Sequence, residues 1–247
     1  MNFKSYEKQN VAILFFGITR SLNYTIENWE ENFLQPLRKF YNITKFMHIF
    51  KLSQNSINKR SNEFFENFNF DEYKLLEPDY FEWSDENMIK NLIKIHEYRT
   101  FGDPWGDSSN NFKSLDNFIL QTFSKMRVTY LMYKTNIKFD YVIFIRPDVK
   151  IITPFDIKWF QFVKDNVMVI PNHAKYPIND RMAICNYNNA KIYGYVFNKL
   201  LEDSKKFVIH AEKYLEYILN NNKIFIYEIE FCFKRVRMNG YVEENDC

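Results

Sequence analysis

Glycine is scarce in this chain, with five residues among 247. Neither the Gly-x-Gly-x-x-Gly turn of dinucleotide-binding folds nor a phosphate-cradling P-loop is present. A His-Glu-x-x-His zinc helix and a Gly-x-Ser-x-Gly nucleophile elbow are also missing, which removes the usual routes to metalloprotease and serine-hydrolase chemistry. Cysteine is limited to Cys185, Cys232 and Cys247. Their odd number, wide scatter and lack of Cys/His ligand spacing argue against structural zinc and lead to the expectation of a reducing compartment. Charge of one sign is missing too: 33 basic residues face 31 acidic ones, a formal charge of +2. No global field therefore draws the chain to nucleic acid or to an acidic membrane surface. No apolar run approaches the roughly 18 residues of a membrane span. The opening residues are too polar for a signal peptide, so a cytoplasmic location is expected.

What remains is a globular composition, 46% hydrophobic and 19% aromatic, without a linker or compositional break. One domain spanning residues 1–247 is expected. Its centre is the stretch Phe139-Asp-Tyr-Val-Ile-Phe-Ile-Arg-Pro-Asp148. Residues 141–145 are all β-branched or aromatic and too few for a helix, so they read as a buried central strand. Pro147 cannot donate a backbone hydrogen bond, and with charges on either side the ladder should end there. Ligands of open α/β sheets lie at the carboxyl ends of strands, where a carboxylate can reach a metal ion or a phosphate-bound cation. Asp148 is accordingly the leading site candidate, and a buried structural pair with a neighbouring arginine is the alternative.

Along the chain, residues 11–16 form a second strand-like run closed by Gly17, where the backbone could approach a ligand and Arg20 could meet a phosphate; a plain turn is the alternative. Ile26, Trp29, Phe33 and Leu37 recur at helical spacing, with a kink expected near Pro36. Residues 45–50 read as the next strand, with His48 as a hydrogen-bonded core histidine. A surface helix with an amphipathic middle at 57–68 is expected over 53–72, a short strand over 73–76 ended by Pro78, and a helix over 85–98. The long loop 99–111, with Trp105, suits a substrate cover. The apolar stripe over 115–134 predicts the longest helix, with Gln121, Lys125 and Arg127 on a polar face that is by default solvated and alternatively reaches a diphosphate. Later come a short helix over 154–160, a strand over 167–170, and a loop holding His173, Asn179, Asp180 and Arg181. Asp180 with Arg181 is either a second strand-end acidic site or a surface turn. Helices over 190–202 and 207–219, an edge strand over 223–227 and a last helix over 228–238 complete the reading.

These pieces together resemble the GT-A type glycosyltransferases of large DNA viruses and some bacteria. The resemblance runs from about residue 10 to 240 and rests on the strand-Gly-x-x-Arg opening at Val11 to Arg20, the strand Phe46-Met-His-Ile-Phe50, the strand ending Arg146-Pro-Asp148, and Asn179-Asp-Arg-Met-Ala183. It implies an α/β, Rossmann-like GT-A fold, with a mostly parallel central sheet and helices on both faces. It also implies a glycosyltransferase of the hexosyl- or deoxyhexosyltransferase type, moving a sugar from a nucleotide-sugar donor, UDP-linked by the same resemblance, to a hydroxyl of a glycan or glycoprotein acceptor. A viral chain of this kind would work in the host cytoplasm. In that family a strand ends in Asp-x-Asp, whose last carboxylate holds Mn²⁺ or Mg²⁺ on the donor diphosphate. Arg146 stands where the first aspartate would be, so Asp148 alone inherits the metal role and Arg146 could neutralise phosphate charge. Gly17 and Arg20 would contact the nucleotide and Asp180 would serve as base, with Glu228 and Glu230 as fallbacks. A non-catalytic nucleotide- or sugar-binding module on the same fold is the alternative.

Overall fold

The apolar run that opens the chain is strand β1 (Asn10–Gly17), and its residues 11–16 are fully buried. Burial on both faces requires cover on both sides of a sheet. Ala12, Leu14 and Phe16 enter one core, while Val11, Ile13 and Phe15 enter the other. The computed structural model of the chain describes residues 8–52, 56–58, 63–65, 69–106 and 111–247.

After β1, helix α1 (Leu22–Trp29) runs through a π turn at Glu30–Leu34 into α2 (Gln35–Phe40). Pro36 has no N–H to offer the carbonyl of Asn32, and that carbonyl instead accepts the Phe155 N–H at 2.8 Å. Trp29, Phe33 and Leu37 bury against the sheet. Strand β2 (Asn42–Lys51) returns parallel to β1, with Phe46 opposite Leu14.

The next segment departs from the sequence expectation. β3 (Ser56–Asn58) and β4 (Glu63–Phe65) pair antiparallel in place of the helix expected over 53–72, of which residues 53–55, 59–62 and 66–68 lie outside the described residues. Residues 73–76 belong to a 3₁₀ helix, Phe70–Leu76, whose start is capped by the Asn69 side chain and whose end is the left-handed Glu77. The strand expected before Pro78 comes after it, as β5 (Tyr80–Asp85), parallel to β2. The helix expected over 85–98 is cut short. α3 (Glu86–Leu92), capped by Asp85, stops before Lys94 at φ 50°, and a 3₁₀ turn, Ile95–Arg99, follows. Met88, Leu92 and His96 face solvent, and Ile95 and Tyr98 make the buried contacts.

Helix α4 (Lys113–Lys134) is the long helix the stripe predicts. Its Ser124 hydroxyl donates to the His48 carbonyl at 2.9 Å, accepts the Gly17 N–H at 2.8 Å, and lies 2.8 Å from His48 Nδ1. A hydroxyl has one proton to give and two lone pairs, so counting assigns the Nδ1–H tautomer to His48, with Nε2 facing Ser84 Oγ at 3.0 Å. Burial, reinforced by Arg127, lowers His48 to about 3. It is the satisfied core histidine expected from the alternation.

Strand β6 (Tyr141–Ile145) lies parallel to β1, and the short β7 (Val149–Ile151) leaves the sheet just beyond it. A 3₁₀ turn, Ile157–Phe162, leads to β8 (Val167–Pro171). Next comes β9 (Met182–Cys185), antiparallel to both β6 and β8. Helices α5 (Ala190–Gly194), α6 (Phe197–Ser204) and α7 (Ala211–Asn221) follow, then β10 (Phe225–Ile229), parallel to β8. The strand order is β10-β8-β9-β6-β1-β2-β5. Side chains of α4 to α7 fill one core and those of α1 and α2 the other. This is the Rossmann-like, mostly parallel sheet with helices on both faces that the sequence implied.

The last expected helix is absent. Residues 228–238 run from β10 into β11 (Phe233–Arg235), antiparallel to β7. Ile229, Phe231 and Phe233 are buried while Glu228 and Glu230 are exposed, the period-two alternation of an extended chain. The reading of the cysteines also changes: Cys232 and Cys247 form a disulfide, the state that oxidising surroundings permit, while Cys185 is buried and free.

Candidate active site

Three strand ends meet at one edge of the sheet. β1 and β6 are parallel, so Gly17 and Ile145 finish together, and antiparallel β9 starts there, with Met182 opposite Ile145. Topology thus brings Gly17, Arg20, Arg146, Asp148, Asp180 and Arg181 to one place. A cavity of about 380 Å³ opens over it. Gly17, Arg20, Arg146, Asp180, Arg181 and Arg235 contribute to its polar lining, while Phe50, Leu52, Trp105 and Phe118 supply an apolar wall. Gly17 sits at φ 110°, and a Cβ there would meet nothing within 4 Å, so it is the backbone angle that calls for glycine.

Asp148 lies behind this lining, fully buried. Arg146 grips it with one edge of its guanidinium, Nε to Oδ1 at 2.8 Å and an Nη to Oδ2 at 2.6 Å, and Arg20 reaches Oδ2 at 2.8 Å. Burial would raise the Asp148 carboxyl, but Arg146 and Arg20 outweigh it and hold the group well below the ordinary carboxylate range. Arg146 also donates to Gln121 Oε1 at 3.2 Å, and Gln121 Nε2 donates to Asp180 Oδ2 at 2.6 Å. A polar chain therefore links Asp148 to Asp180.

The Asp180 main chain is fixed from beneath. Its carbonyl accepts from Lys125 Nζ at 2.7 Å and from the Tyr193 hydroxyl at 2.8 Å. Lys125 is buried over the Tyr193 and Phe16 rings, and that burial, partly offset by Asp180, brings it down to about 8. It positions Asp180 and does not line the cavity.

No protein-family model and no curated protein matches the chain. Among solved structures, the chain aligns with mouse xyloside xylosyltransferase 1 in its apo form at 12% identity and a TM-score of 0.35, over 91% of this chain and 85% of that one. It also aligns with the apo glycosyltransferase GlyE of Streptococcus pneumoniae TIGR4 at 13% identity and a TM-score of 0.41, over 90% of this chain and 46% of that one. Both neighbours are glycosyltransferases. At such scores the likeness is distant.

Of the residues singled out in the sequence, Gly17, Arg20, Arg146 and Asp180 line the cavity and Asp148 backs it. Arg127 does not join them. It forks onto Glu82 of β5 at 2.6 and 2.9 Å, so its placement toward a diphosphate is corrected. His173 lies under the Phe233 ring, 4.8 Å between centroids, outside the cavity lining. Glu228, exposed on β10, pairs with Lys175, and Glu230 is exposed; neither fallback carboxylate is on the cavity lining. Trp105 of the long loop lines the cavity, its ring stacked 4.6 Å from His210.

Two features escaped the sequence reading. Glu212, at the start of α7, lines the cavity, and burial together with the nearby Asp180 raises its carboxyl to about 7. Arg235 arrives on β11, and a helix expected over that segment hid it. Arg235 and Arg181 converge on Asp246, the former through Nη at 2.8 Å and the latter at 2.9 Å.

The donor set does not suit the divalent cation implied for Asp148. A hard cation needs several carboxylate or carbonyl oxygens around it. Both Asp148 oxygens already accept guanidinium N–H groups. Among the described residues, no group of three or more His, Cys, Asp or Glu is placed to hold a metal ion.

Proposed function

We propose that this chain transfers a sugar from a nucleotide-sugar donor, UDP-linked by the sequence resemblance, to a hydroxyl of a glycan or glycoprotein acceptor. The observation that carries the proposal is the make-up of one cavity, with an aromatic and aliphatic wall at Phe50, Leu52, Trp105 and Phe118, an arginine wall, and the Asp180 carboxylate on its lining. An apolar wall suits a nucleoside, arginines suit phosphate oxygens, and a fixed carboxylate suits an attacking hydroxyl.

In this reading the acceptor oxygen attacks the anomeric carbon of the donor. The bond from that carbon to the diphosphate breaks, and the diphosphate departs with the electron pair. Asp180, held by Gln121 at one oxygen and by Lys125 and Tyr193 at its carbonyl, takes the hydroxyl proton. Glu212, its carboxyl raised by burial and by the nearby Asp180, is a further carboxylate on the lining able to exchange a proton.

The test is a panel of nucleotide sugars with release of nucleoside diphosphate as the readout, run on the parent chain and on Asp180→Asn. Turnover of one donor is expected, with a loss of about 10²–10⁴-fold in the variant while nucleotide binding persists. Full turnover in Asp180→Asn removes that residue from the mechanism. Binding without turnover of any donor favours the non-catalytic module.

A further inference from the structure

We infer that the donor diphosphate is held in this cavity by paired arginine clusters that supply the positive charge a divalent cation would otherwise bring. The inference rests on the nucleotide-sugar reading above and specifies how its anionic part is bound.

The cavity edge contains two clusters of the same design. In the first, Arg20 and Arg146 share Asp148; in the second, Arg181 and Arg235 share Asp246. Both carboxylates are buried, 0% and 3% exposed, whereas all four arginines line the cavity. The carboxylates therefore lie behind and the guanidinium groups in front. Two arginines on one carboxylate leave one net positive charge per cluster. A donor diphosphate presents one formal negative charge on each phosphoryl group, so the two clusters match it in sign and number.

The clusters are neighbours through the backbone. Arg235 lies opposite Val149 in the pairing of β11 with β7, and the Val236 N–H donates to the Asp148 carbonyl at 3.0 Å. Burial of two like charges side by side is costly unless a counter-ion lies between them. Asp148 and Asp246 fill that role, and both are held well below the ordinary carboxylate range by their arginines against the opposing effect of burial. They therefore remain ionised at any working pH. A guanidinium has five N–H donors. Arg146 uses three of them on Asp148 and Gln121, and donor capacity remains for an anion in the cavity.

A cation bridging the same diphosphate would need carboxylate oxygens facing the ligand. Asp148 and Asp246 are turned to arginine, and the lining carboxylates Glu86, Asp180 and Glu212 belong to no group of three or more His, Cys, Asp or Glu placed to hold a metal ion among the described residues. Arginine forks also fix phosphate oxygens in direction, which a single ammonium cannot do.

Calorimetry with inorganic pyrophosphate and with UDP, each in EDTA and in Mn²⁺, tests this on the parent protein. Both probes are expected to bind in EDTA, with UDP affinity changing less than about threefold on adding Mn²⁺, within roughly 0.7 kcal/mol. Arg235→Lys, which keeps the charge and loses the fork, is expected to weaken UDP at least about tenfold. Its thermal midpoint, read alongside, separates a lost contact from a lost fold. Binding of UDP in Mn²⁺ but not in EDTA overturns the arginine assignment and leaves the donor reading standing. Binding of neither probe in either condition overturns both. Unchanged UDP affinity in a folded Arg235→Lys removes the second cluster from the site.

Discussion

Replacing Asp148 with alanine leaves Arg20 and Arg146 next to each other without the carboxylate that both contact at 2.6–2.8 Å. Three charge-assisted contacts disappear, and two like charges stay side by side, Arg20 buried and Arg146 half-buried at the cavity. Removing one partner of a buried ion cluster costs about 3–5 kcal/mol, more than the cluster is worth when intact, because the surviving charge is stranded. For a chain of this size each kcal/mol moves the thermal midpoint by about 2–4 °C, so a fall of roughly 6–20 °C is expected. Urea unfolding followed by far-ultraviolet dichroism measures the free energy directly. A double variant that adds Arg146→Met is expected to recover part of the loss, with a coupling of about 1–3 kcal/mol. An Asp148→Ala protein within about 1 kcal/mol of the parent would refute the reasoning, since exposed pairs are worth no more than that. Acid is the complementary probe. Because the folded Asp148 carboxyl lies below its ordinary value, its contribution is complete above the ordinary carboxylate range and is lost only as pH falls through the lowered one.

His48 makes the opposite kind of demand. Its folded value is about 3 against an ordinary 6.5, so below pH 6.5 the unfolded chain takes up a proton that the native state refuses. Stability should fall by about 2 kcal/mol between pH 8 and pH 5 on its account, and the same titration on His48→Gln should lack that increment. Equal slopes in the two proteins would contradict a neutral buried imidazole. Gly194→Ala sets helix propensity, favourable by about 1 kcal/mol, against sterics. The added Cβ would fall 2.0 Å from Thr129 Oγ1, and that hydroxyl is buried and bonded to the Lys125 carbonyl at 2.7 Å. Sterics should win by about 1–3 kcal/mol, read as a lower denaturation midpoint, and a variant more stable than the parent would show that α4 and α5 can part.

The central strands were legible because an unbroken run of β-branched and aromatic residues has few other places to go. β1 and β6 are buried on both faces, as such runs require. Their common edge followed from parallel pairing, and so did the meeting of Gly17 with Arg146. The partners of Asp148 were only half legible. Arg146 is two residues away, but Arg20 comes from the far end of β1, and Asp246 reaches Arg181 from near the last described residue. Arg127 was misplaced for a reason the sequence does contain. Gln121 and Lys125 are four residues apart and share a face of α4, whereas Arg127, two residues further at about 100° per residue, points to the opposite side. The last helix was a wrong choice of period, since Ile229, Phe231 and Phe233 already alternated in the sequence with Glu230 and Cys232. Residues 88 and 92 fitted a helical stripe that has nothing to cover, and only tertiary packing reveals that.

The Ser124 hydroxyl joins the end of β1 to α4 and, through His48 and Ser84, to β2 and β5. Amide hydrogen exchange gives that junction a second meaning. Gly17 lines the cavity, where amides usually exchange quickly with solvent, but its N–H is bonded to a buried hydroxyl on α4. Its proton can leave only when the helix lifts from the sheet. The exchange rate of that single amide therefore reports how often the floor of the cavity opens.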